Sequence, residues 1–203
     1  MRSIVVTGGI ATGKSSFCAA LVRLCAARIE VFDCDQCVHA LLTTETIIAR
    51  VVKVFGESVL DQRGQIDRPK LRSIVFSDAS LKSLLEGILH PEVRRFCRSA
   101  RDEALASAEV TLFIADVPLF FENGFPVEHD KTVVVATTRM TQLKRLLNRS
   151  PLNREAAENI IDAQLPINRK VELADIVMWN GGEPSSLERQ IKYLLKWMEL
   201  PSN

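Results

Sequence analysis

The stretch GGIATGKSS, Gly8 to Ser16, follows the apolar run SIVVT and leads into a helical pattern. It satisfies G-x-x-x-x-G-K-[ST], with Gly8, Gly13, Lys14 and Ser15 at the fixed positions and Gly9, Ile10, Ala11 and Thr12 between them. Glycines weaken both strands and helices, so packing does not explain them. Polyphosphate chemistry does. Backbone N–H groups must converge on phosphate oxygens, and side chains at the glycine positions would obstruct that approach. The helix that follows adds unpaired N–H groups and the positive end of its dipole. In this pattern Lys14 reaches the β- and γ-phosphates and the Ser15 hydroxyl ligates Mg²⁺. The stretch reads as a cradle for a nucleoside triphosphate.

Further candidates lie where other apolar runs end. VFDCDQ puts Asp33 and Asp35 just past a strand, at the edge where open α/β sheets bind ligands. A carboxylate there accepts a proton from an attacking hydroxyl or orients it; the alternative is a helix cap beside a solvated charge. VTLFIAD ends in Asp116, at the position where a P-loop protein holds Mg²⁺ directly or through water, or else an ordinary strand-end aspartate. Glu122 follows six residues later and is more ambiguous. Arg145 and Arg149 share a helix face, and Arg154 follows the break SPLN. Together they read as a lid over ATP phosphates, or as a solvated basic face. Cys34 and Cys37 form C-x-x-C near His39, but no further clustered ligands accompany them, so these cysteines read as incidental.

The elements that position these residues follow from the hydropathy pattern. Five apolar runs, at 3–7, 29–32, 110–115, 132–137 and 175–179, are nearly continuous rather than alternating, as buried parallel strands are. Helical patterns lie between them, which is the signature of an α/β fold with helices on both faces of a parallel sheet. Between Asp33 and Val110 the chain reads as helix almost throughout, too long for a simple crossover. One amphipathic helix is expected from Leu41 to Gly56, a turn-rich connection over DQRGQIDRP, a helix starting at a Ser77/Asp78 cap, and a new helix opening at Pro91. From Arg139 to Pro166 two short helices are expected, the second capped by Asn153. The C-terminal helix shows a capping-box pattern, Ser185 to Glu188, and an apolar stripe through Leu187, Ile191, Leu194, Leu195 and Met198.

Composition excludes several classes. Of 203 residues, 26 are Lys or Arg and 25 are Asp or Glu, so no global basic field points to nucleic acid. No run approaches the ~18 apolar residues expected of a membrane span, and the short N-terminal run is no signal sequence. Five cysteines at irregular spacing suit reduced thiols in a cytosol. A cytoplasmic protein is expected, monomeric or a weak homo-oligomer, with no nucleic-acid or membrane partner.

With GGIATGKS, DCD, ILHP, DVPLFFE, QLKRLLNRSPLNRE, Gln164 and NGG in order, the chain resembles the dephospho-coenzyme A kinases from Ile4 to about Leu195. The resemblance implies a P-loop NTPase core with a five-stranded parallel sheet (1–40, 109–138 and 167–203), a helical CoA-binding insertion (41–108) and a lid (139–166). It implies transfer of the ATP γ-phosphate to the ribose 3′-hydroxyl of dephospho-CoA, with Mg²⁺. Carried over by position, Gly8 through Ser16 bind ATP, joined by Arg149 from the lid and by Asn180 and Gly182, which lie near the adenine; Arg145, Arg149 and Arg154 form the lid. Asp33, Lys14, Arg145 and Arg149 become catalytic. Asp33, Asp35, His90, Asp116 and Arg154 become acceptor-binding, and Ser15 with Asp116 the candidate metal ligands. The family's usual GIGSGK is GIATGK here, its DAD is DCD, and its NNG is Asn180-Gly181-Gly182. The alternative is another small-metabolite or nucleotide kinase on the same core. A regulatory GTPase would need D-x-x-G and N-K-x-D; Asp116 is followed by Val-Pro-Leu, and N-K-x-D does not occur.

Overall fold

All five apolar runs become strands: β1 (Arg2–Gly8), β2 (Arg28–Asp33), β3 (Val110–Asp116), β4 (Lys131–Ala136) and β5 (Ile176–Trp179). They form one sheet in the order β2-β3-β1-β4-β5, in a computed structural model that describes the backbone of residues 1–203 and every side chain except those of Phe76 and Ser77. β1 pairs in parallel with β3 and β4, and β4 with β5. Helices cover both faces of the sheet centre, so Ile4, Val5 and Val6 are all fully buried, which is why β1 is continuously apolar, as are β3 and β4 beside it; the edge strands β2 and β5 are only partly buried. The register sets Val6 beside Asp116 and Gly8 beside Val135, delivering the glycine loop between the ends of β3 and β4.

The chain divides into two compact units, Met1–Phe32 with Ala100–Asn203, and Asp33–Ser99. In the first, α1 (Lys14–Leu24) and α10 (Pro184–Trp197) pack together on one face of the sheet. Phe17, Leu21, Ile191 and Leu195 are buried there, each contributing about 2 kcal/mol by removal from water. The expected C-terminal stripe is this buried face. The expected capping box, with Ser185 at the N-cap, is not formed: the N-cap lies two residues earlier, at Glu183, which makes no side-chain bond, and Pro184 is the first helical residue. Proline pre-sets the first-turn φ and has no N–H to cap. Gln190 of α10 instead bonds both Trp179 N–H and Trp179 O at 2.9 Å, covering the free edge of β5.

Also in this unit, α6 (Phe120–Asn123) follows β3, and α7 (Arg139–Arg149) and α8 (Arg154–Asp162) form a hairpin, with α9 (Ile167–Leu173) leading into β5. Asn153 caps α8 through the Ala156 N–H, as expected. Leu146, Ala157 and Ile161 make a small core for the hairpin, and Ile10 and Ala11 of the glycine loop pack against it.

The second unit contains α2 (Cys34–Leu41), α3 (Glu45–Phe55), a single 3₁₀ turn at Glu57–Val59, α4 (Arg68–Ser77) and most of α5 (Ala79–Ala106). Two expectations need correction. The helix expected from Leu41 to Gly56 is broken at Thr43-Thr44, whose hydroxyls bond back to Ala40 O and Leu41 O and close α2 before α3 begins. Pro91 does not open a new helix; it lies inside the 28-residue α5. The buried face Leu89, Val93 and Cys97 runs unbroken past it at helical spacing, so packing outweighs the one hydrogen bond proline removes. Asp78 caps this helix through the Ser80 and Leu81 N–H groups; the Ser77 half of the expected cap lies outside the described residues. No helix among the described residues is long and apolar enough to cross a membrane.

Candidate active site

Gly8 to Ser16 turn from β1 into α1 with Ala11 and Gly13 at positive φ, 57° and 92°. Ala11 stands in the left-handed region where glycine would be free of strain, at a cost of about 1–2 kcal/mol. A Cβ on Gly8 would lie 2.5 Å from Val135 O, and one on Gly13 would strike the Asn180 amide. The glycines therefore answer to close packing as well as to backbone angles.

Side chains from elsewhere in the unit pin the carbonyls of this loop. Lys170 donates to Gly8 O at 3.1 Å, Gln142 to Ile10 O at 2.7 Å, and Asn180 to Thr12 O at 2.8 Å. Arg145 reaches Thr12 O at 3.1 Å and Asn180 O at 2.9 Å. The Thr12 hydroxyl donates to Gly9 O, and Gln164 accepts from the Ile10 N–H. In a trans peptide the C=O of one residue and the N–H of the next point oppositely. The pins on Gly8, Ile10 and Thr12 thus turn the N–H groups of Gly9, Ala11 and Gly13 the other way. With the unpaired N–H groups of the first turn of α1, this is an anion cradle.

Lys14 pairs with Asp116, whose carboxylate is buried and also approached by Cys18 Sγ at 3.8 Å. Ser15 and Ser16 are exposed at the start of α1. A cavity of about 570 Å³ opens beside the loop, lined by Gly13, Ser16, Arg145, Asn180 and Gly182 among others. A Cβ on Gly181 would lie 2.8 Å from the indole nitrogen of Trp179.

The structure brings Lys14, Ser15, Asp116, Arg145, Asn180 and Gly182 to one loop. Arg145, expected as a lid arginine, spends its guanidinium on loop and Asn180 carbonyls. Arg149 is exposed at the last turn of α7, and Arg154 pairs with Glu158 along α8. Sequence reasoning missed the roles of Gln142 and Lys170, and left Glu122 and Gln164 without one. A signal for Lys170 existed: the period Ile167, Lys170, Val171, Ala174 puts a lysine on an apolar face, where burial demands partners.

In the second unit Asp33 is the N-cap of α2 and accepts from the Gln36 N–H at 2.9 Å. Asp35 lies in the first turn, so the two carboxylates no longer share a direction as they would on an extended chain. Burial and the neighbouring Asp33 charge push the Cys37 thiol up, against the pull of Arg95, which leaves it a poor thiolate. A cavity of about 870 Å³ is walled by Val38, Leu42, Leu71, Leu85 and Leu89, with His39, Arg68 and Arg72 also lining it.

His90, half-buried on α5, has its pKa lowered by burial first, with Arg94 and Lys82 adding and Glu86 opposing. Its folded pKa lies below its unfolded value, so its stabilising effect is complete above about pH 6.5 and is lost as pH falls through the folded value. The melting temperature of the whole chain is expected to fall between pH 7 and 5, and less steeply in His90→Gln. Identical pH profiles for the two would show that His90 does not contribute.

Residues 2–185 match the family model of dephospho-CoA kinase. The chain belongs to the dephospho-CoA kinase family. A dephospho-CoA kinase of Bacillus licheniformis is 38% identical over 95% of this chain and 94% of its own. One of Fusobacterium nucleatum is 34% identical over 93% and 94%. The crystal structure of TT1252 from Thermus thermophilus superposes with a TM-score of 0.78 at 33% identity, covering 97% of both chains. The five-stranded P-loop kinase fold and an ATP-dependent phosphotransferase activity belong to this family assignment.

Proposed function

We propose that the protein transfers the γ-phosphoryl group of ATP to the ribose 3′-hydroxyl of dephospho-CoA, giving CoA and ADP. The pinned glycine loop carries the donor half of this reading, and family membership supports the acceptor. The triphosphate lies over Gly8–Ser16, with the nucleoside toward Asn180 and Gly182. Lys14, held by Asp116 in this structure, exchanges that single carboxylate for the more highly charged β- and γ-phosphates. Arg149 is the exposed guanidinium of the lid and spreads charge on the transferring group, while Arg145 keeps the loop in shape.

Asp33 faces the acceptor. One oxygen caps α2, leaving the other to take the 3′-hydroxyl proton or orient that hydroxyl in line. The 3′-oxygen bonds to the γ-phosphorus, the bond to the β–γ bridging oxygen breaks, and its electron pair leaves on ADP. Asp33 caps the helix whose Val38 and His39 line the larger cavity, about 9 Å further along at 1.5 Å per residue. In that cavity Arg68 and Arg72, one turn apart, suit the pyrophosphate, and the leucine wall suits the pantetheine arm. Asp35, His90 and Arg154 complete the proposed acceptor contacts.

The donor set fits Mg²⁺. The Ser15 hydroxyl is exposed, and Asp116 is a hard oxygen donor once Lys14 has moved. Ser15 would hold the ion and Asp116 would act directly or through water; bound there, it would neutralise charge on the phosphates. This reading puts the protein in the cytoplasm as a monomer or weak homo-oligomer acting on small molecules.

A coupled ADP-release assay across dephospho-CoA, nucleoside monophosphates and shikimate tests the reading. Turnover is expected with dephospho-CoA; faster turnover with a nucleoside monophosphate would move the acceptor to the nucleotide class.

A further inference from the structure

We propose that Lys170 is a positioning residue for the nucleotide phosphates: its buried ammonium holds the Gly8 carbonyl and so turns the Gly9 N–H toward the ligand. This rests on the reading of Gly8–Ser16 as the phosphate cradle. Lys170 is fully buried on α9, pairs with Glu122 at 2.7 Å and donates to Gly8 O at 3.1 Å. Glu122 in turn accepts the Leu165 N–H at 3.0 Å. Stability alone does not account for a lysine here. A buried ion pair is often no better than apolar residues of the same volume.

The third contact supplies the reason. The Gly8–Gly9 peptide is flanked by two glycines, so its plane is the freest in the loop to flip, and a flip would aim a carbonyl at the phosphates. Its carbonyl has one pinning side chain, Lys170, whereas Thr12 O has two in Asn180 and Arg145. Glu122 lies six residues past Asp116, and Leu165 lies just past α8. The same charge pair therefore ties the loop to the strand bearing Asp116 and to the root of the α7–α8 hairpin.

Lys170→Met alone would strand the Glu122 charge, so the decisive variant is Lys170→Met/Glu122→Gln, which keeps an acceptor for the Leu165 N–H. It is expected to melt within a few degrees of the parent. Its ATP affinity by calorimetry, and its kcat/KM for ATP, should fall tenfold to a hundredfold, as for a misplaced binding group. KM for the acceptor should not move. Glu122→Gln by itself leaves Lys170 on Gly8 O and should keep most ATP affinity. Parent-like ATP affinity in the folded double variant overturns the proposal, as does equal loss of ATP affinity in Glu122→Gln and Lys170→Met. Calorimetry with ATP needs no acceptor, so an error in the acceptor would leave these results unchanged.

Discussion

Replacing Lys14 with alanine is expected to lower kcat by on the order of a hundredfold or more, the scale of losing a preorganised charge at a developing transition state. In the proposed function its ammonium is the point charge on the β- and γ-phosphates. The structure adds a second consequence. Lys14 is the ion-pair partner of buried Asp116, so Lys14→Ala also leaves a carboxylate without its cation. That loss costs up to about 3 kcal/mol, because the pair is only partly withdrawn from water. Lys14→Gln separates the effects: its amide still donates to Asp116 but carries no charge. It should melt close to the parent and remain as inactive as the alanine variant. A well-folded Lys14→Gln enzyme with parent turnover would remove the lysine from the mechanism.

Asp33→Asn is expected to cost 10²- to 10⁴-fold in kcat, the range of a lost general base. The substitution is clean because of where Asp33 sits. Asparagine caps a helix as well as aspartate does, so α2 keeps its bond to the Gln36 N–H while charge and basicity are lost. Asp35→Asn should cost distinctly less. Its carboxylate lies in the first turn of α2, turned from the cap direction, where it chiefly complements the helix dipole. Turnover at saturating ATP and dephospho-CoA, with ATP affinity by calorimetry and a melt for each variant, reads both predictions. A nearly active Asp33→Asn beside an inactive Asp35→Asn would exchange their roles.

Much of this molecule was legible in the chain. The five apolar runs read as strands because they are short and rich in Val and Ile, and the three at the centre of the sheet, β1, β3 and β4, are buried as such runs demand. The loop read as a phosphate cradle because its spacing of Gly, Lys and Ser is the one that polyphosphate binding asks for; that its glycines also answer to close packing against Val135 and Asn180 was not legible there. Those are local facts, carried by side-chain hydropathy and backbone freedom within about ten residues. Where locality failed, packing decided. Pro91 signalled a helix start, yet Leu89, Val93 and Cys97 carry one buried face straight past it. Ser185 and Glu188 spelled a capping box, yet the helix begins at Pro184, which moves the N-cap two residues back, to Glu183.

The site divides in the same way. Lys14 and Ser15 could be singled out from motif spacing, whereas Asp33 was preferred over Asp35 only through the family resemblance. The pinning of the loop could not, because Gln142, Gln164, Lys170 and Asn180 lie more than 130 residues from the carbonyls and N–H they hold. Nothing local marks a glutamine as the partner of a distant peptide. Only the register that sets β1 between β3 and β4, and the packing of α7 and α9 beside its end, brings those partners within 3.1 Å of the loop. The residues proposed to touch phosphate are thus written in the loop itself, whereas the orientation of its peptides is a property of the fold, because hydrogen-bond partners are chosen by proximity in space.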